Sequence, residues 1–316
     1  MRAVIVGSES FIGEALLARL LRDAPVGEAG LPATLITRVD MRMGAASTTP
    51  RVRCIEGDPG DRAVLARAIE GGVDCLFHLA GAPGAAGEQN FALGLRANLQ
   101  ATIDMLEALR AAGQRPRLVF ASTLDVYGTP LPEVVDEQTV PAPVSSFGTH
   151  KYMSELLIGD YSRRGFVSGC SVRVPGIVAH PPIEGLEAIF LSNLIRELSA
   201  GQNFICPVAA NAPAWWMSRP CIINNLLRAA ALPERVLARQ RSYLLPVLRL
   251  TIGEVVQALA AVHGPEVSAR ISYQPDLELQ ARCASRPPLH CPRSESVGFR
   301  NDGSAAALVR SALDAA

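Results

Sequence analysis

Gly7 and Gly13 bracket the turn Gly7-Ser8-Glu9-Ser10-Phe11-Ile12-Gly13, which follows an apolar run and opens a stretch of helical periodicity. Glycines at such a turn permit a tight reversal and let backbone approach a pyrophosphate, whose charge is favoured by the amide end of the following helix. The candidate cradle is Gly7, Ser10, Phe11, Ile12 and Gly13, with Ser10 where a middle glycine is usual; taken alone, it also fits an ordinary strand-to-helix turn. Four further positions fall in register with it. Asp40 ends a second apolar run, where a carboxylate accepts hydrogen bonds from an adenosine ribose and repels a 2′-phosphate, favouring NAD over NADP. Asp58, in Glu56-Gly57-Asp58, follows a third run and is placed to meet the adenine. His78-Leu79-Ala80-Gly81 closes a fourth, with Leu79 and Ala80 offering backbone to ribose and phosphates, and Asn98 lies in the helix after it.

The elements that must hold these positions are readable from periodicity. Strands are predicted at 3–6, 36–39, 52–55, 73–79, 117–122 and 170–174, and helices after the first turn and at 61–69, 91–112 and 149–164. The 73–79 run is continuously apolar, as in a strand buried on both faces. Six β units alternating with helices predict an α/β fold, a Rossmann-type doubly wound and mostly parallel sheet spanning residues 1–178. A Pro-rich loop covers 130–144. From Pro175 onward the pattern is less regular, with helical stretches near 186–199, 222–231 and 252–263 and an Ala-rich helix with a frayed end at 305–316. Residues 179–316 are expected to form mainly a smaller C-terminal substrate-binding cap, with some segments returning to the first domain.

Composition narrows the partners. Lys plus Arg and Asp plus Glu both total 30, and no basic run interleaved with aromatics occurs, so nucleic acid is not expected. Apolar stretches fall short of the roughly 20 residues a membrane-spanning helix needs. The first residues already read as a strand, leaving no room for a signal peptide, and a cytoplasmic location is expected. The seven cysteines form no C-x-x-C pair, and Cys283, His290 and Cys291 match no standard zinc spacing; no metal is expected.

Ser122-Thr123-Leu124-Asp125-Val126-Tyr127-Gly128, with Lys151 in the position of a Y-x-x-x-K lysine, resembles extended short-chain dehydrogenases/reductases of the NAD-dependent epimerase/dehydratase group over nearly the whole chain. Five segments resemble the D-erythronate dehydrogenases within it: Tyr161-Ser162-Arg163-Arg164-Gly165-Phe166, Val172-Arg173-Val174-Pro175, Cys206-Pro207-Val208, Trp216-Met217-Ser218-Arg219-Pro220 and Val297-Gly298-Phe299-Arg300. The resemblance implies NAD as cofactor and oxidation of the C2 hydroxyl of a small sugar acid. It also implies that Thr123 orients the substrate oxygen, that Lys151 holds the nicotinamide ribose, that Pro175 joins the cofactor contacts, and that helices near 91–112 and 149–164 build a homodimer.

The proton-transferring tyrosine of that pattern is replaced by Phe147. Phenylalanine fills the space and carries no proton, and losing a general base costs about two to four orders of magnitude in rate. Three readings stay open: a Tyr-to-Phe change introduced to trap a complex, a natural homologue with altered chemistry, and a natural non-catalytic binder. Ser10, a second departure, weighs toward natural divergence. The competing functional reading is a repurposed non-redox member of the fold, a lyase, isomerase, cyclase or binder of NAD or another small ligand. Lys151, desolvated and without a phenolate neighbour, is the best substitute base; His150 and Tyr152 point to other helix faces, and Tyr127 reads as a packing residue.

Arg219 suits a substrate carboxylate, which Arg binds bidentately, and equally suits a structural role. Trp215 and Trp216 either line a pocket or pack beneath the cap. His180 reads as a surface residue beside a loop, and His263 as a helix C-terminal residue complementing the dipole.

Overall fold

The computed structural model describes residues 1–44, 49–182 and 188–313; the expected helical positions 186–187 and the chain end at 314–316 lie outside the described residues. Seven strands form the main sheet: β1 (Arg2–Val6), β2 (Leu35–Asp40), β3 (Val52–Glu56), β4 (Cys75–His78), β5 (Arg117–Thr123), β6 (Ser168–Val174) and β7 (Ser242–Leu244). Their spatial order is β7-β6-β5-β4-β1-β2-β3. Parallel registers Ala3↔Ile36, Ala3↔Cys75, Ile36↔Val52 and Cys75↔Arg117 join the five strands around β1. Strand order reverses between β1 and β4, and ligands of doubly wound sheets bind beyond the carboxyl ends of the strands at such a point. The continuous apolar runs have their cause here: Ala3 to Val6 of β1 and all of β4 are buried, as strands covered on both faces must be. The edge strand β7, Ser242-Tyr243-Leu244, is too short to show a period and was not among the expected strands.

The helices that matter for the site are α1 (Phe11–Leu21), α2 (Arg62–Ile69), α3 (Ala101–Ala112) and α4 (Ser146–Arg163). Side-chain caps set their starts: Asp61 accepts from Ala63 N at the head of α2, and Ser145 accepts from Gly148 N at the head of α4. The Ser145 cap starts α4 at Ser146 rather than near 149, which puts Phe147 in the first turn and Lys151 one turn later on the same face. The expected helix over 91–112 is continuous but not uniform. A π-helical turn, Arg96–Gln100, separates Phe91–Leu95 from α3 and carries Asn98; such turns recur at functional sites.

The chain divides into two compact units, the first comprising Met1–Gly128, Pro141–Arg173 and Ile223–Tyr243, the second Thr129–Val140, Val174–Ile222 and Leu244–Ala316. In the first, Val4, Val6, Leu76, Leu118 and Phe120 of the sheet pack with Leu65, Met105, Leu109 and Ile158 of the helices. In the second, Leu194, Trp216, Ile252, Val255, Leu259 and Leu308 form a separate core. There Pro213–Trp216 pairs antiparallel with Leu248–Thr251, and Phe204–Cys206 parallel with Ile271–Tyr273. Both tryptophans are buried in this unit. Trp215 donates to Pro287 O at 2.8 Å and lies under the Arg286 guanidinium, and Trp216 donates to Leu250 O at 2.9 Å.

Candidate functional site

The turn after β1 lies directly against the turn after β4. A Cβ on Gly7, whose φ is +89°, would stand 2.6 Å from Ala80 N, and one on Gly13 would stand 2.2 Å from Gly7 O. Only glycine fits either place. Ser10 has an extended backbone, φ −74° and ψ 158°, so no glycine is required there. Its hydroxyl accepts from Gly13 N at 3.1 Å and donates to Gly7 O at 2.7 Å, capping α1 and bracing the cradle from within. The serine that looked like a break in the fingerprint is thus part of the turn's own hydrogen bonding.

Asp40 ends β2 with its carboxylate tied to the turn: Oδ2 accepts from Glu9 N at 2.9 Å and Oδ1 from Met41 N at 2.8 Å. Asp58 accepts from Gly60 N at 2.7 Å and from the Arg96 guanidinium at 3.2 Å; Arg96 also binds Asp104 at 2.9 Å. Asn98 is buried, accepting from Ala82 N at 2.9 Å and donating to Ala82 O at 3.2 Å, which pins the loop after β4.

Lys151, Phe147 and Asn98 meet under that same loop. A Cβ on Gly81 would lie 2.7 Å from Asn98 Oδ1 and 3.4 Å from Lys151 Nζ, and one on Gly84 would lie 3.7 Å from Phe147 Cβ. Lys151 is buried; Nζ donates to Ala121 O at 3.0 Å and stands 4.7 Å from the Phe120 ring centroid and 5.7 Å from that of Phe147. Thr123, two residues beyond Ala121 on the same face of β5, is buried and accepts from Asp125 N at 3.1 Å. Burial also lowers His78 to a pKa of about 3, assisted by the Lys151 charge, so this imidazole stays neutral while bonding Thr102 Oγ1 at 3.0 Å.

Desolvation lowers the Lys151 pKa from 10.5 to about 8. Between those values the unfolded chain binds a proton that the folded chain has lost, so stability rises with pH through that window. The burial penalty is fully present below the window and absent above it, a difference of roughly 3 kcal/mol. Denaturant titrations on both sides of the window should show the wild type gaining stability relative to Lys151→Met as pH rises. A pH-independent gap between the two proteins would contradict the assignment.

A buried charged network, which sequence reading missed, braces this corner. Glu155, one turn after Lys151 on α4, takes Arg173 bidentately, with Nη2 at 2.8 Å from Oε2 and Nε at 3.1 Å from Oε1. Ser122 Oγ donates to Glu155, and Arg173 Nη1 donates to Tyr127 OH at 2.8 Å. Burial by itself would lower the Arg173 pKa, but its bonds to Glu155 outweigh burial and keep the guanidinium charged. Pro175 and Arg219 belong to the second unit, where half-buried Arg219 opens the helix Arg219–Ala231. His180 Nδ1 lies 2.7 Å from Pro181 O, and His263 is the exposed last residue of its helix.

The model of the NAD dependent epimerase/dehydratase family matches residues 3–212. The chain belongs to that family. A D-erythronate dehydrogenase from Cupriavidus necator is 34% identical over 99% of this chain and 98% of its own length, and one from Haemophilus influenzae is 33% identical over 96% and 95%. Among solved structures, a nucleoside-diphosphate-sugar epimerase from Agrobacterium tumefaciens superposes with a TM-score of 0.91 at 29% identity, covering 99% of this chain and 94% of that one. An L-threonine dehydrogenase from Cupriavidus necator shares the fold, with a TM-score of 0.84 at 21% identity and 99% coverage of both chains. Homology within the NAD-dependent epimerase/dehydratase family supports an NAD-dependent oxidoreductase. The residues present fit that cofactor: the glycine contacts leave backbone alone between the two turns, and the Asp40 carboxylate is anchored at the end of β2.

Proposed function

We propose that this protein is an NAD-dependent oxidoreductase of the sugar-acid type, resembling D-erythronate dehydrogenases, whose turnover is lowered or abolished by Phe147. The observation that carries this reading is the placement of a phenyl ring one turn before buried Lys151, whose ammonium has Ala121 O as its hydrogen-bond partner. Hydride acceptance is the chemistry NAD supplies when bound. Gly7, Ser10, Phe11, Ile12 and Gly13 would hold its phosphates, Asp40 its adenosine ribose, Asp58 the adenine edge, and Lys151 the nicotinamide ribose. Leu79 and Ala80 would lie along it, held by Asn98. Thr123 would orient the substrate oxygen. Phe147 offers no proton acceptor, and Lys151, with its neutral form populated near pH 8, is the base that remains.

Reduction of NAD by D-erythronate and other small sugar acids, followed beside Phe147→Tyr, tests the reading. Turnover of a sugar acid by the variant supports it, and silence from both proteins with every acid, despite bound NAD, overturns it. That silence is the result expected of the second reading, a non-redox member of the fold, which Phe147 itself favours.

The same reading makes the protein a cytoplasmic homodimer. Among the described residues no helix is long and apolar enough to cross a membrane. Phe91, Met153 and Leu156 are 60%, 43% and 58% exposed. A groove of about 500 Å³, lined by Phe91, Leu95, Val144, His150 and Met153, runs beside them. Light scattering should give twice the 33.6 kDa chain mass, falling to one chain for Met153→Glu/Leu156→Glu. A wild-type monomer would rule the dimer out.

A further inference from the structure

Glu9 stands within the phosphate turn, where a carboxylate is a poor neighbour for a pyrophosphate unless its charge is answered. It is answered by Arg38 of β2, with which Glu9 forms a largely buried ion pair. Glu9 Oε2 also accepts from Gly44 N at 2.9 Å, and Glu9 N donates to Asp40 Oδ2 at 2.9 Å. One residue therefore links the turn, the strand and the segment after Asp40. Arg38 precedes Asp40 by two residues and so shares its face of the strand. The guanidinium is incompletely satisfied: Nη1 reaches Cys54 Sγ at 4.0 Å, and buried Nε has no hydrogen-bond partner among the described residues.

We propose that Glu9 is a cofactor-specificity determinant, adding a second carboxylate beside Asp40 and occupying Arg38, the guanidinium of β2 able to receive a 2′-phosphate. The proposal rests on the reading of this turn as an NAD site. Specificity is a difference of affinities, and repulsion of the wrong ligand serves it as well as attraction of the right one. Here a phosphorylated ribose meets two carboxylates. The planar donor fork that matches phosphate geometry is already held by one of them.

Calorimetric titration with NAD and with NADP tests this without turnover, using the wild type, Glu9→Gln, Arg38→Met and Glu9→Gln/Arg38→Met. The wild type should prefer NAD. Glu9→Gln should shift the ratio of the two affinities toward NADP by about tenfold or more, the scale of one additional charge-assisted hydrogen bond to phosphate. The shift should appear mainly in NADP affinity and be clearly smaller in the double variant, which keeps the loss of the Glu9 charge but has no guanidinium to receive the phosphate. Melting curves give a second readout: Glu9→Gln leaves Arg38 without its anionic partner and should melt lower, and NADP should restore it more than NAD does. Should Glu9→Gln keep the wild-type affinity ratio, or the double variant keep the shifted one, the proposal is overturned. Wild type that binds neither nucleotide overturns the NAD reading itself, an outcome distinct from an unchanged ratio.

Discussion

Phe147→Tyr is expected to raise the rate of substrate-dependent NAD reduction by about two to four orders of magnitude, the usual worth of a positioned general base. The hydroxyl would be added to a ring whose centroid already lies 5.7 Å from Lys151 Nζ, in a pocket where that ammonium has no carboxylate partner among the described residues. A phenolate formed there is stabilised by the buried cation, so the tyrosine should titrate below its ordinary range. The lysine, gaining an anionic neighbour, should titrate above the value of about 8 that burial imposes on it now. The two proteins should therefore differ in the pH profile of kcat as well as in its size. Residual wild-type turnover should rise as Lys151 loses its proton near pH 8. Equal rates with a saturating sugar acid would mean that the ring at 147 is not where the proton leaves.

The second large effect concerns stability. Glu155→Ala removes the carboxylate that neutralises Arg173, whose side chain is only 12% exposed, and it strips Ser122 of its acceptor. Breaking a buried pair from one side costs about 3–5 kcal/mol, because the remaining charge is left uncompensated. That is a large part of the roughly 5–15 kcal/mol that holds a typical domain folded. Glu155→Gln keeps an acceptor and should lose less. Glu155→Leu/Arg173→Met should recover much of the loss, since an apolar pair of similar volume replaces two buried ions. Chemical denaturation reads all three. A midpoint for Glu155→Ala equal to that of the wild type would show that the network does not brace this corner. Because the network joins β5, α4 and β6 beside Thr123 and Lys151, the same variants should also lose turnover in the Phe147→Tyr background.

What could be read in advance was local. The strand-turn-helix around Gly7 and Gly13, the alternation that builds the sheet, and the one-turn separation of Phe147 and Lys151 each depend on neighbours in the chain. Ser10 was half legible: a serine heading an apolar helical stretch is an N-cap signal, yet it reads as a fingerprint defect when only glycine spacing is considered. The Glu155–Arg173 pair was not legible. Its members stand 18 residues apart on a helix and a strand, and a glutamate on an amphipathic helix ordinarily faces water. Glu9 and Arg38, 29 residues apart, were hidden in the same way. The π turn holding Asn98 leaves no mark on apolar periodicity, and β7 is too short to have one. In each case tertiary neighbours, absent from any local window, determine the outcome.

An intact NAD site beside a missing proton acceptor is the pairing on which the functional reading depends. It can be tested by calorimetric titration of NAD into the wild type and into Phe147→Tyr, with turnover measured on the same preparations. Saturable binding of one NAD per chain is expected, with closely similar affinity in both proteins, and hydride transfer at least about a hundredfold faster in the variant. Absence of NAD binding, or binding without any gain in turnover, would contradict that pairing.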